Sequence, residues 1–168
     1  MMATEAGSNR EVLVAPISGV VRELTQVPDP VFAQEMVGPG VAIEPDGEHT
    51  LQVLAPVTGV LLKAHPHAVA VAVPAAGEGA GVLVHLGLNT VGLDGAGFTL
   101  HTGTGAQVHR GTHLIDWDPA PALAAGLDLI SPVIVLGATS GQLKILARPG
   151  ASVRAGQALL SWTAPART

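Results

Sequence analysis

The chain has 168 residues, of which 48% are apolar and 12% are charged, and its formal net charge is −5. This length suits one domain with its own core, and the apolar content excludes a disordered chain. The acidic balance argues against nucleic acid as a partner, because no basic stripe is available to neutralise phosphates. The absence of cysteine excludes disulfides, thiol catalysis and cysteine-based zinc sites.

The beginning of the chain lacks the basic flank and apolar core of a signal peptide. The most apolar stretch, residues 68–76, is about half of the ~20 residues that a membrane-spanning helix needs. We therefore expect a cytoplasmic protein that does not insert into a membrane. Residues 1–10 are predicted to be a disordered tail, followed by a single domain over residues 11–168.

Short valine-rich runs separated by glycine or proline predict strands and turns along the chain. The predicted strands are residues 12–15, 19–24, 40–43, 59–63, 69–73, 82–86, 131–136 and 143–147. Short helical turns are predicted at residues 30–36, with Asp29 as cap and Pro30 as first residue, and at residues 120–126. Because no long amphipathic helix is evident, the pattern predicts an all-β protein, an antiparallel sandwich or flattened barrel with only short helical turns.

Two segments occur twice in slightly altered form. Residues 15–21, APISGVV, are echoed forty residues later as APVTGVL, and residues 105–115, GAQVHRGTHLI, are echoed forty-five residues later as GASVRAGQALL. The shared GAxVxxGxxL pattern is typical of a tight turn leading into a short strand, with glycine where a positive φ is needed. Two echoes at similar offsets predict a duplicated β-motif.

His85 lies in the otherwise apolar run VLVHLGL, which glycines bound. A buried strand is a costly place for an imidazole, because both ring nitrogens must be satisfied. One interpretation is a core histidine with its hydrogen bonds made. The other is a neutral imidazole with one nitrogen held by the backbone and the other presented as a nucleophile or metal ligand.

His65 and His67 flank a proline, and on an extended segment residues i and i+2 point to the same side. The pair fits zinc ligation or charge stabilisation beside a reacting group, and the alternative is two exposed loop histidines. His101, His109 and His113 lie among Gly, Thr and Arg and are expected at the surface.

Residues 79–91, GAGVLVHLGLNTV, match every defined position of the phosphorylation-site signature of glucose-type IIA components of the bacterial sugar phosphotransferase system. The chain resembles this family elsewhere too, at residues 27–43, 55–59, 67–68 and 93–98 and in the final VxxG echo. The resemblance therefore covers about residues 11–163, in the order that the family has.

The resemblance implies a phosphocarrier in which His85 takes a phosphoryl group from the phosphohistidine of HPr. His85 would pass the group to a cysteine of a sugar-specific IIB domain, of the glucose or N-acetylglucosamine type. The family's second active-site histidine maps onto His67, which would hydrogen-bond the phosphoryl oxygens. The implied partners are HPr, the IIB/IIC permease, and permeases or metabolic enzymes that such a protein regulates according to its phosphorylation state.

The resemblance also implies a shallow apolar docking face around the site. Its predicted residues are Val31, Phe32, Val37, Leu83 and Leu86, with Thr90 supporting the site. The resemblance implies that no cofactor is required, and the alternative is a weak zinc site at His67 and His85. The sequence departs from the family at Asn89, where Asp is usual, and at His65, where Thr is frequent.

Two other functions fit single features of the sequence. A zinc hydrolase of lysostaphin-like architecture would use His65 and His67, but no clear upstream zinc motif is present and the signature around His85 would be unexplained. A carrier of biotin or lipoate needs a lysine at a hairpin tip in a characteristic context, which neither Lys63 nor Lys144 has.

Overall fold

A computed structural model of the protein describes residues 9–164, and these form mostly β-strands. The strands are β1 (Asn9–Val14), β2 (Gly19–Glu23), β3 (Gly40–Glu44), β4 (Leu51–Leu54), β5 (Gly59–His65), β6 (Ala68–Ala72), β7 (Gly81–His85), β8 (Phe98–Leu100), β9 (Gln107–Val108), β10 (His113–Trp117), β11 (Ser131–Leu136), β12 (Leu143–Ile145), β13 (Ser152–Val153) and β14 (Ala158–Ala164). The two α-helices are α1 (Pro30–Ala33) and α2 (Ala120–Ala124).

The strands form one large and two small antiparallel sheets. The large sheet has eight strands in the order β13-β2-β3-β11-β7-β6-β5-β9, and the small sheets have the orders β1-β14-β12 and β4-β10-β8. The large sheet is curled but open, like half of a barrel, because β13 and β9 are both at its edges. The predicted all-β, flattened-barrel architecture with short helical turns is confirmed.

The predicted elements all have counterparts, with small differences at their ends. Each of the eight predicted strands overlaps an observed one. The first helical turn begins as predicted, because the Asp29 side chain accepts a hydrogen bond from the Val31 amide at 3.0 Å. It is shorter than predicted and ends before Glu35, which has a φ of 56°. A residue other than glycine in this left-handed region does not continue a helix.

Strand β1 begins inside the predicted N-terminal tail. Asn9 and Arg10 pair with Ala164 and Thr163 of β14, so the tail prediction is wrong for these two residues. The pairing of β1 includes these two residues because β14 continues to Ala164 and provides their partners. The rest of the predicted tail, residues 1–8, lies outside the described residues, as do residues 165–168.

The four glycines of the GAxVxxGxxL echo have the same conformation. Gly105, Gly111, Gly150 and Gly156 have φ values of 93°, 92°, 92° and 92°. Residues with a Cβ disfavour these φ values, so both copies of the echo need glycine at these positions. The prediction that these positions need a positive φ is confirmed.

The two copies also make matching hydrogen bonds. The Gly111 amide donates to the Ala55 carbonyl and the Gly156 amide donates to the Ala15 carbonyl, both at 2.8 Å. The APISG and APVTG segments are in turn joined to each other, since the Val14 amide donates to the Pro56 carbonyl at 3.0 Å. A reciprocal bond runs from the Leu54 amide to the Pro16 carbonyl at 2.9 Å, so the duplicated motif is related by an approximate twofold.

The duplication extends into the core. Trp117 and Trp162 occupy equivalent positions forty-five residues apart, and their side chains are 0% and 1% exposed. Both belong to the large core, which the three sheets enclose. Burial of such aromatic side chains is among the largest contributions that single residues make to stability.

Strand β7 is covered on both faces, which accounts for its apolar run. Val82 and Val84 face the large core and are fully buried. Leu83 points the other way and packs against a second, smaller apolar cluster. This outer cluster consists of Leu24, Val27, Phe32, Ala42, Leu88, Ile130 and Ile134. Because side chains alternate along a strand, His85 shares the face of Leu83 and lies beside the outer cluster.

No helix within residues 9–164 has the length and apolar character that crossing a membrane would require.

Candidate functional site

Three segments bring aromatic rings together at the end of β7. The His85 ring lies 5.5 Å from the Phe32 ring of α1 and 5.4 Å from the His67 ring, measured between centroids. His67 is placed by the backbone, since the Leu86 amide donates to its carbonyl at 2.8 Å. The two predicted site histidines are therefore neighbours, with their rings in an edge-to-face arrangement at 75°.

His65 and His67 do not lie on one extended segment as predicted. His65 pairs with Ala68, so Pro66 and His67 form the tight turn between β5 and β6. Proline favours this conformation because its φ is fixed near the value that the first central turn position needs. The rings are nevertheless stacked, with centroids 5.8 Å apart and planes at 23°, and His65 stands on the exposed side of His67.

The His85 ring is oriented by a hydrogen bond to the backbone. Its Nδ1 lies 2.7 Å from the Gly87 carbonyl oxygen. A carbonyl oxygen only accepts, so Nδ1 must carry the proton of this bond. In the neutral ring the lone pair is then on Nε2, which is the nucleophilic nitrogen. The backbone carbonyl thus selects both the orientation and the tautomer of His85.

The loop that carries the Gly87 carbonyl is held in place by buried hydroxyl groups. The Gly87 amide donates to Ser131 Oγ at 3.0 Å, and Ser131 Oγ donates to the Leu129 carbonyl at 2.9 Å. Thr90 Oγ1 donates to the Leu86 carbonyl at 2.7 Å and closes the loop that follows His85. Ser131 and Thr90 are both fully buried, so these bonds are shielded from water.

Only glycine fits at position 87. Its φ is 74°, and a Cβ there would lie 2.9 Å from Thr90 Cγ2 and 3.0 Å from the Asp128 carbonyl oxygen. Gly87 belongs to the signature around His85, whereas no motif in the sequence points to Ser131. The available signal was a hydroxyl residue opening the otherwise apolar run SPVIVL, where a polar side chain needs a specific partner.

Ser131→Ala is expected to lower the free energy of unfolding by about 1–3 kcal/mol, because the buried Gly87 amide loses its acceptor. Chemical denaturation of the two proteins measures the difference. The exposed Ser140→Ala is the matched control and is expected to change stability by less than about 0.5 kcal/mol. Equal effects of the two substitutions would contradict the role of Ser131.

Burial keeps the site histidines neutral. It lowers the pKa of His85 below the ordinary value of 6.5, although the hydrogen bond to Gly87 and the negative charge of Asp29 both act to raise it. Burial also lowers the pKa of His67, and the positive charges that His85 and His65 would carry lower it further. At neutral pH both rings are uncharged, which leaves the Nε2 lone pair of His85 free.

These lowered pKa values predict a loss of stability in mild acid. The unfolded chain takes up protons on both histidines near pH 6.5, whereas the folded protein takes them up only at lower pH. The free energy of unfolding should therefore fall as the pH decreases from 6.5 through the folded pKa values. Denaturation curves between pH 7.5 and 5 measure this slope, and a His67→Gln, His85→Asn double variant should show a smaller one. An equal slope would contradict the prediction.

The predicted docking residues are not equally accessible. Phe32 is 7% exposed, with its ring beside His85, and Leu83 and Val37 are partly buried against the outer cluster. Leu86 does not reach the surface: it is 0% exposed because it points into the large core, and it supports the site from below. Thr90 is fully buried, and its hydroxyl group donates to the Leu86 carbonyl.

The apolar surface beside the site comes largely from residues that sequence analysis did not single out. Val31 is 43% exposed, as a docking residue needs to be. Met36, which follows α1, is 69% exposed, and Val91, in the turn after His85, is 63% exposed. Large exposed apolar side chains on the segments that carry a reactive group are typical of an interaction surface.

Comparison with protein families gives one matching model. Residues 11–141 match the family described as phosphoenolpyruvate-dependent sugar phosphotransferase system, EIIA 1. A glucose-specific EIIA component from Halalkalibacterium halodurans is 40% identical over 134 residues, which are 78% of this chain and 74% of the relative. A glucose-specific EIIBCA component from Corynebacterium glutamicum is 40% identical over 126 residues, 75% of this chain but 18% of that longer protein.

A solved structure supports the same relationship. The glucose permease IIA from Mycoplasma capricolum superimposes with a TM-score of 0.77 at 30% sequence identity, over 91% of this chain and 96% of that one. These matches are all to sugar phosphotransferase components, so the alternative of a zinc hydrolase using His65 and His67 is not supported.

Proposed function

Because the chain belongs to the EIIA 1 family of phosphoenolpyruvate-dependent sugar phosphotransferase systems and acts as a phosphocarrier, we propose that His85 accepts the phosphoryl group and that His67 assists its transfer. The observation that carries this proposal is the 2.7 Å contact between Nδ1 of His85 and the Gly87 carbonyl oxygen. It leaves Nε2 as the ring nitrogen with a free lone pair.

In the accepting step, the Nε2 lone pair of His85 attacks the phosphorus of the donor's phosphohistidine. The new P–N bond forms as the bond from phosphorus to the donor nitrogen breaks, and that nitrogen keeps the electron pair. We take the donor to be HPr. Phosphoryl transfer needs in-line positioning and charge stabilisation more than covalent help, and a fixed neutral imidazole supplies the positioning.

In the donating step, a cysteine thiolate of the IIB domain attacks the same phosphorus and the bond to Nε2 breaks. The His67 ring lies 5.4 Å from the His85 ring between centroids, so its ring N–H can donate a hydrogen bond to the phosphoryl oxygens as charge redistributes. A neutral helper suits a carrier, because a permanent positive charge would stabilise phosphohistidine in the ground state and slow its onward transfer.

The docking surface fits two successive protein partners. Val31, Met36 and Val91 present exposed apolar side chains on the two segments that flank His85. EIIA proteins work with IIB and IIC domains, and in the EIIBCA relatives all three share one chain. We propose that HPr and the IIB domain use this surface in turn, that the protein acts in the cytoplasm, and that it serves a permease of the glucose or N-acetylglucosamine type. Binding to regulated permeases or metabolic enzymes would use the same face.

Intact-mass spectrometry tests the proposal directly. The protein is incubated with phosphoenolpyruvate, Enzyme I and HPr and kept at neutral or alkaline pH, because phosphohistidine is labile in acid. We expect one added phosphoryl group per chain, and no addition when HPr is left out. Absence of any addition, with the same Enzyme I and HPr active on a control IIA protein, would refute the carrier function proposed for His85.

A further inference from the structure

A second histidine cluster lies on the small sheet β4-β10-β8, built from residues that the phosphoryl site does not use. His101 Nε2 is 2.7 Å from Asp116 Oδ2, and His113 Nε2 is 2.8 Å from Asp116 Oδ1. The two imidazole rings are 4.8 Å apart between centroids. Within residues 9–164 these three side chains form the one group of three or more His, Cys, Asp or Glu whose ligand atoms all lie within 4.8 Å of one another.

A β-bulge places two of these side chains on the same face. His113 and Asp116 are three residues apart on β10, a spacing that puts side chains on opposite faces of a regular strand. The pairing with β4 shifts between His113 and Ile115, so that Leu114 is an extra residue on β10. Bulges re-aim side chains in this way, and His113 thereby joins Asp116 on the outer face while Trp117 stays in the core.

The residue that follows strand β8 supplies the third side chain from the other side of β10. Thr99 is paired with Asp116, and His101 follows two residues later on the same face. The His101 amide donates to the Leu114 carbonyl at 2.8 Å, which fixes its backbone against the bulge. The backbone that carries the three side chains is thus fixed by hydrogen bonds, because β10 pairs with β4 on one side and with β8 on the other.

The cluster carries a negative charge that is ready for a cation. Each Asp116 carboxylate oxygen accepts a hydrogen bond from one of the two imidazole rings, so the carboxylate lies between His101 and His113. The side chains of His101, His113 and Asp116 are 41%, 38% and 37% exposed, so an ion can reach them from solvent.

We propose that His101, His113 and Asp116 form a Zn²⁺ site with both histidine Nε2 atoms and one carboxylate oxygen as ligands and a fourth position open to water or a donor from another molecule. Zinc takes such a set at about 2.0–2.2 Å in tetrahedral geometry, which separates neighbouring ligand atoms by about 3.3 Å. The present distances of 2.7 and 2.8 Å between the Nε2 atoms and the Asp116 oxygens reach this value after a small rotation of the side chains. Each Nε2 proton moves through solvent to Nδ1, which frees the lone pair that binds the metal without changing the charge of the ring.

Calorimetric titration with ZnCl₂ at pH 7.5 tests the site, using a His67→Gln, His85→Asn background that removes the histidines of the phosphoryl site. We expect one Zn²⁺ per chain in this background. Adding His113→Gln or Asp116→Asn should weaken binding tenfold or more. His109→Gln, which changes an exposed histidine outside the cluster, should leave the affinity unchanged.

A measurement on the unmodified protein keeps the test independent of how the variants fold. Nitrogen-15 NMR of the histidine rings should show Zn²⁺ shifting the Nε2 signals of His101 and His113. Absence of binding at millimolar Zn²⁺ would overturn the proposal, and so would binding that disappears in the background variant and persists in His113→Gln. The zinc test is separate from the test of phosphoryl transfer, since we expect His113→Gln to be phosphorylated as fast as the parent protein.

Discussion

Replacing His85 by asparagine is expected to abolish phosphorylation of the protein by HPr. The asparagine side-chain amide can take the place of Nδ1 and donate to the Gly87 carbonyl, so the loop after β7 keeps its hydrogen bond. Asparagine has no ring nitrogen in the place of Nε2, so the variant lacks the lone pair that attacks the phosphorus. Intact-mass spectrometry after incubation with phosphoenolpyruvate, Enzyme I and HPr measures the result.

His109→Asn is the matched control, since His109 is an exposed histidine on another part of the surface. It should be phosphorylated to the same extent as the parent protein. A phosphoryl group on the His85→Asn variant would assign the acceptor to another residue, and peptide mapping under alkaline conditions would show which one. A thermal melt of each variant establishes that both are folded.

Replacing His67 by glutamine is expected to leave phosphoryl acceptance in place and to slow transfer to the IIB domain by about 10²-fold or more. The glutamine amide fills a similar space beside His85, but its flexible side chain does not hold a donor in the place of the imidazole N–H that hydrogen-bonds the phosphoryl oxygens. The variant is phosphorylated first, freed of HPr, and mixed with the IIB domain. Its rate of phosphoryl loss is then followed by mass.

His65→Gln separates the effect of His67 from that of its stacked neighbour. His65 is exposed and its ring is stacked on the His67 ring, with centroids 5.8 Å apart, whereas the ring contact to His85 is made by His67. We expect donation by His65→Gln to differ from the parent by less than threefold. Donation by His67→Gln at the parental rate would show that His67 has no part in transfer.

Much of the fold was predictable because it depends on local pattern, whereas the role expected of His85 came from the family resemblance. The apolar run around His85 predicts a buried strand, and β7 is covered on both faces. The paired echoes predicted a duplication that the bonds from Gly111 and Gly156 confirm. These features are readable because a glycine at positive φ or an alternating strand imposes its requirement on neighbouring residues in the chain.

The rest depends on contacts between distant parts of the chain. Ser131 holds Gly87 from forty-four residues away, and no local pattern pairs the two. The family resemblance implies that Leu86 belongs to the docking face, but its side chain points to the core. The bulge at Leu114 turns His113 toward Asp116, so histidines expected to be separate surface residues form a cluster.

The pairing of β1 with β14 has a consequence for how the protein is made. β1 is the edge of its sheet and has β14 as its neighbour, so the first described strand to leave the ribosome waits for the last one. Until then its amides and carbonyls form an open template on which another nascent chain could add a strand. Arg10 and Glu11 put charges on this waiting strand, and charged side chains discourage such association. The protein is therefore most prone to association with other chains during its synthesis, until β1 pairs with β14.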